Sequence, residues 1–142
     1  MRQGNFKQAE KHLEVSLLKN AKVIAFVDRP AAMVNLAGAY LSLQKIDKAE
    51  KLLRDVAKKS YGSNRLRAIY NLAVIADRKG DYREVVRLLG DEINQWQQPE
   101  PILLYVKGLI KTGNEVEANN ILESRLYIND DKKRQEIIQT FR

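Results

Sequence analysis

A short pattern recurs four times along the chain and constrains its fold more than any other feature. It reads "QGNFKQAEKHL" from Gln3, "QKIDKAEKLL" from Gln44, "KGDYREVVRLL" from Lys79 and "TGNEVEANNIL" from Thr112. Aligned on Gly4, Gln44, Gly80 and Gly113, the copies carry Ala9, Ala49, Val85 and Ala118 five residues on, and Leu13, Leu53, Leu89 and Leu122 nine residues on. Two residues on stand Phe6, Ile46, Tyr82 and, as the exception, Glu115. The steps between copies are 40, 36 and 33 residues. Periods in this range belong to arrays of helix pairs, in which each pair buries its apolar face against its neighbours.

Each position in the pattern has a physical task. A glycine just past the end of a helix adopts the left-handed conformation without steric cost. The bulky residue two places on packs into the corner, the small residue lets two helices approach, and the leucine fills the seam. Gln44 should therefore carry a conformational cost, and near Glu115 a one-residue shift should bring Val116 into the corner. Helices precede the corners: "MVNLAGAYLSL" over Met33–Leu43, "IYNLAVIADRK" over Ile69–Lys79 and "PILLYVKGLIK" over Pro101–Lys111. Their apolar residues recur at helical spacing, and Pro30 and Pro101 suit a first helical turn. The reading predicts about eight helices, near 5–26, 30–43, 46–60, 64–79, 82–97, 100–112, 115–128 and 130–142. Asp28 and Asp130 are expected as N-caps.

The stretches "NLAGAY…KIDKAEKLL" and "NLAVIA…KGDYREVVRLL" resemble the tetratricopeptide repeat family, and the resemblance extends over nearly the whole chain. It implies an all-α solenoid of antiparallel helix pairs, wound as a right-handed superhelix. The expected organisation is a single repeat domain over 1–142, cut from a larger protein. It comprises a partial repeat 1–29, repeats 30–63, 64–98 and 99–129, and a terminal helix 130–142 that serves as a cap or opens a fifth repeat. The long first helix resembles the extended repeats of kinesin light chain-like and bacterial regulatory members. The resemblance also implies function: a non-enzymatic scaffold binding a peptide or partner protein in a concave groove. The alternative is a regulatory or targeting domain of a larger enzyme or of a secretion or assembly machine.

Nothing in the sequence argues for catalysis. There is no cysteine, hence no disulfide, thiolate metal site or cysteine nucleophile. His12, the single histidine, reads as an exposed helix residue, and "INDDKKR" lacks the later glycine and glutamate of a calcium loop. No phosphate-cradling glycine motif occurs. No cofactor or metal is called for. Trp96, the single tryptophan, is expected to pack between repeats. No apolar run exceeds five residues, as in Val23–Val27, far short of a membrane span, and no secretory pattern opens the chain. Absence of cysteine leaves the compartment open, with the cytoplasm preferred.

The formal charge of +7 favours an anionic partner. Nucleic acid is disfavoured, because "KAEKLLRDVAKK" interleaves acids with bases and no base-stacking platform stands out. The first helices of each pair should line the groove with Ala31, Val34, Asn35, Gly38 and Ser42; with Arg67, Tyr70, Asn71, Val74 and Arg78; and with Glu100, Leu103, Leu104, Lys107 and Lys111. Asn35 and Asn71 are equivalent and resemble the asparagine ladder of peptide-binding tetratricopeptide domains. Arg67 and Asn71 match part of the carboxylate clamp of chaperone-tail binders, but Val34, Gly38 and Leu104 depart from it. The expected peptide-binding set is Asn35, Asn71, Arg67, Tyr70, Val74, Arg78, Lys107 and Lys111, for an acidic extended segment. Self-association is expected through the terminal helices, beside Leu13 and Ile137/Phe141.

Overall fold

A computed structural model describes residues 7–14 and 29–142. Among the described residues the regular structure is helical throughout. Residues 7–14 form a helical segment, α1. It is followed by α2 (Arg29–Ser42), α3 (Ile46–Lys59), α4 (Gly62–Arg78) and α5 (Tyr82–Gly90). A 3₁₀ turn (Ile93–Gln95), α6 (Pro99–Lys111), α7 (Glu115–Ser124) and α8 (Asp131–Phe141) complete the chain. The expected continuation of the first helix to residue 26, and the Asp28 cap, lie outside the described residues. The chain forms two compact units, Met1–Leu72 and Ala73–Arg142. In the first, α2 packs on α3; in the second, α6 packs on α5, α7 and α8, and α7 on α8.

The recurring corner is built from the same hydrogen bonds three times. Gln44, Gly80 and Gly113 all have left-handed backbones, with φ of 63°, 73° and 87°. At each, the next residue's amide reaches back five places: Lys45 to Tyr40 (2.8 Å), Asp81 to Ala76 (2.9 Å) and Asn114 to Leu109 (2.7 Å). The amides of Gln44, Gly80 and Gly113 bond the carbonyls of Leu41, Asp77 and Ile110 at 3.0–3.1 Å. This double closure satisfies carbonyls that a helix end would otherwise leave open. The chain is thereby reversed at the same point in three copies.

The seam follows the repeat equally closely. Ala49, Val85 and Ala118 are completely buried, as are Leu53, Leu89 and Leu122. Burying each leucine contributes about 1.5–3 kcal/mol. Gly108 of α6 brings that helix against α5, where an added Cβ would stand 3.0 Å from Val85 Cγ1 and Val86 Cγ2. The first copy differs. Ala9 is exposed, while Glu10 is buried and salt-bridged to Lys45 at 3.1 Å.

Three expectations are corrected. α5 ends at Gly90 rather than continuing to 97. There Trp96 folds back, 6% exposed, and its indole Nε1 donates to the carbonyl of Leu89 at 3.0 Å. That bond occupies a carbonyl at the helix end and holds the chain out of helix. α7 stops at Ser124 rather than 128: Tyr127 takes φ 57° and Ile128 donates to the Leu122 carbonyl at 3.1 Å, another helix-ending reversal. Val116 does not enter the corner; it is 79% exposed. Glu115 keeps its place, held by Arg142 Nε at 2.7 Å and Nη2 at 2.9 Å.

α8 is fastened to α7 at both ends. Asp130 caps it by accepting from the Lys132 amide at 2.9 Å. Near this cap the buried Arg134 donates to Asn119 Oδ1 (2.8 Å), the Ile128 carbonyl (2.8 Å) and Asp131 Oδ1 (3.2 Å). At the far end, Arg142 pairs with Glu115, the first residue of α7. Ile138 is buried between these anchors.

Candidate peptide-binding surface

The candidate side chains fall in both units. In the first, Asn35 lies exposed on α2, and Arg67, Tyr70 and Asn71 lie on α4. Arg67 is exposed, while Tyr70 and Asn71 are half-buried. Helical spacing sets the last three on one side of α4. The structure brings Asn35 and Arg67 together: Arg67 Nη2 donates to Asn35 Oδ1 at 3.2 Å. That bond leaves the Asn35 amide group as a donor and leaves further guanidinium N–H groups on Arg67. An asparagine amide beside an arginine fork can meet both a peptide carbonyl and a carboxylate. Val34, expected on the same stripe, is instead 2% exposed. Apolar residues wrap α2 widely, with Met33, Val34, Leu36, Ala37, Ala39 and Tyr40 all buried, and this leaves a narrow polar edge.

In the second unit, Val74 is half-buried and Arg78 is exposed at the last position of α4. Lys107 is not a free cation. Its Nζ lies 2.8 Å from Asp77 Oδ1, and this bond raises its pKa above the ordinary lysine range. Lys107 and Lys111, one turn apart on α6, both stand over the Tyr82 ring, with Nζ 5.8 Å and 5.9 Å from its centroid. Aromatic faces attract cations at such distances. Tyr40 receives Lys45 and Lys48 in the same way, at 5.9 Å and 5.4 Å. The two tyrosines were read from sequence only as apolar helix and corner residues. Lysines spaced four apart on a neighbouring helix were the signal that Tyr82 has a second role.

Among the described residues no group of three or more His, Asp or Glu side chains is placed to hold a metal ion. None of the described helices is long and apolar enough to cross a membrane.

Antiparallel helices reversed by one repeated corner, with a polar stripe left on the first helix of a pair, define a helical-repeat protein. The tetratricopeptide repeat model matches residues 1–73, just over half of the chain, and the chain belongs to that family. No curated protein and no solved structure matches it. Members of the family generally act as non-catalytic scaffolds that bind proteins or peptides.

Proposed function

We propose that this chain is a non-enzymatic interaction module that holds an extended acidic segment of a partner protein on the exposed stripe of its first helices. The observation that carries the reading is the Arg67–Asn35 hydrogen bond, which sets a carboxylate-binding fork beside a backbone-binding amide. In the first unit, Asn35 and Asn71 take the peptide backbone, Arg67 takes a carboxylate and Tyr70 supplies a contact face. In the second, Arg78 is the exposed cation, Val74 an apolar contact, and Lys107 and Lys111 form a shelf with Tyr82. Lys107 is engaged with Asp77, so the two lysines attract an acidic ligand less than two free cations would.

The test uses a fluorescein-labelled glutamate-rich peptide of about ten residues, long enough to cross several turns of helix surface. Its binding to the intact chain should weaken as salt rises. Reversal of both Arg67 and Arg78 to glutamate should weaken it further with no change in melting temperature. Full affinity in the double variant places the ligand elsewhere and overturns the reading.

A further inference from the structure

The positive charge of the chain is unevenly divided. Residues 1–72 hold 14 basic and 6 acidic side chains, a formal +8, whereas residues 73–142 hold 11 and 12, a formal −1. Little of this charge lies on the polar stripe of α2, which carries a single charged residue, Arg29. α3 holds five basic and three acidic residues, a formal +2, and its Lys48, Lys51, Arg54, Lys58 and Lys59 are all exposed. The apolar side of α3, with Ala49, Leu53 and Val56, is buried. The lysines therefore face away from the pair's core.

The acids of α3 do not cancel them. Glu50 is engaged by Arg54 at 2.6 Å and Asp55 by Lys59 at 2.9 Å, each along the helix. Among the described residues Lys48, Lys51 and Lys58 have no carboxylate partner, and only Asp47 offsets them locally. Three residues beyond Lys58, between α3 and α4, stands Tyr61, 88% exposed and the most exposed large hydrophobic residue described. A bare aromatic ring at the end of a lysine row is the composition of a single-strand nucleic-acid platform: ammonium groups for successive phosphates and a ring for a base. The sequence disfavours nucleic acid because acids interleave with the bases of this helix and no stacking platform stands out; Glu50 and Asp55 are engaged along the helix, and Tyr61 is an exposed ring.

We propose that the outer face of α3, with Lys48, Lys51 and Lys58 leading to Tyr61, is a second docking surface, for single-stranded nucleic acid. It is separate from the peptide stripe and does not depend on it. Lysine favours phosphate as a compact, mobile charge, and the site carries no group that would read base identity. Binding is therefore sequence-tolerant and salt-sensitive.

The experiment measures anisotropy of a labelled oligothymidylate of about 20 nucleotides with the intact chain at several salt concentrations. Three phosphate contacts give a slope of about −2 in log K against log salt. Lys51→Glu with Lys58→Glu should weaken binding at least about tenfold and flatten that slope. Tyr61→Ala should cost about fivefold or more. Lys132→Glu with Lys133→Glu, exposed on α8 in the second unit, should leave affinity unchanged. Circular dichroism melts check that each variant folds. Failure to bind at low salt, or equal binding by the Lys51/Lys58 variant, overturns the proposal. In the Arg67→Glu/Arg78→Glu variant, whose peptide stripe is disabled, tighter binding to polyglutamate or to phosphatidylserine vesicles than to the oligonucleotide also overturns it, in favour of a protein or membrane partner. If Tyr61→Ala has no effect, the stacking platform is refuted.

Discussion

The amide of Lys45 reaches the carbonyl of Tyr40 at 2.8 Å, wrapping the chain around a glutamine whose φ is 63°. The equivalent residues in the next two copies are Gly80 and Gly113. An L-residue held in the left-handed region costs about 1–2 kcal/mol. Glycine relieves this strain but gives back part of the gain through the entropy of its unfolded chain. Gln44→Gly should therefore stabilise the first unit by about 0.5–1 kcal/mol. Gly80→Ala and Gly113→Ala should each destabilise by about 1–2 kcal/mol. Urea unfolding of the three variants checks both signs.

Ala49 is completely buried at the α2–α3 seam. Leucine there adds volume that a packed interior cannot accept, so Ala49→Leu should destabilise by about 1–3 kcal/mol. Thermal unfolding indistinguishable from wild type would show that this position is not a close helix contact.

How far the sequence revealed the fold depended on the range of the interactions. Gly80 and Gly113 were legible because a left-handed corner is decided within a few residues, and so were Leu53, Leu89 and Leu122, whose burial follows helical spacing. The end of α5 was not legible, because Trp96 reaches back across a reversal to the Leu89 carbonyl and no local pattern encodes that. Val116 was misplaced because the corner closes in the same register as the other copies, with the Asn114 amide on the Leu109 carbonyl at 2.7 Å, and Glu115, paired with Arg142, stands where a bulky residue was expected. Within the candidate site, Arg67 and Asn35 were named from helix register alone. The Lys107–Asp77 pair depends on how α6 meets the end of α4, and the sequence offered only the two charges.

Arg134 makes its hydrogen bonds to α7, to the following loop and to α8 itself from a position only 7% exposed. Arg134→Ala removes those donors and leaves the Asn119 and Ile128 oxygens unpaired, at a cost of about 1–3 kcal/mol. Hydrogen exchange should locate the loss in α8, with α5 and α6 little affected. Uniform loss of protection across the second unit would refute this local role.

The alkaline limit of stability has a definite sign. Burial, the hydrogen bond from Tyr40 to Glu14 and the charges of Glu14 and Glu10 push the Tyr40 hydroxyl well above the ordinary tyrosine range. Burial, with Glu117 nearby, raises Tyr105 as well. Folding favours the protonated phenol, so this stabilisation is complete below the unfolded value of about 10 and is lost as pH rises through the folded value. Lys107 acts in the same direction, since its bond to Asp77 raises its pKa and favours the ammonium form. Stability should fall from about pH 10 upward. Tyr40→Phe, which removes one of these groups, should make the decline shallower. A decline equally steep in Tyr40→Phe would show that Tyr40 does not contribute to it.

The buried indole of Trp96 has a practical consequence. It is the single tryptophan in the chain, and it lies wholly within the second unit. Intrinsic emission excited at the red edge of the aromatic band therefore reports on that unit alone, whereas far-ultraviolet dichroism averages over every helix. Following both signals through one melt gives a direct reading of thermodynamic coupling. Superimposable curves mean that the two units lose structure as one cooperative body, and separated midpoints mean that each has its own transition.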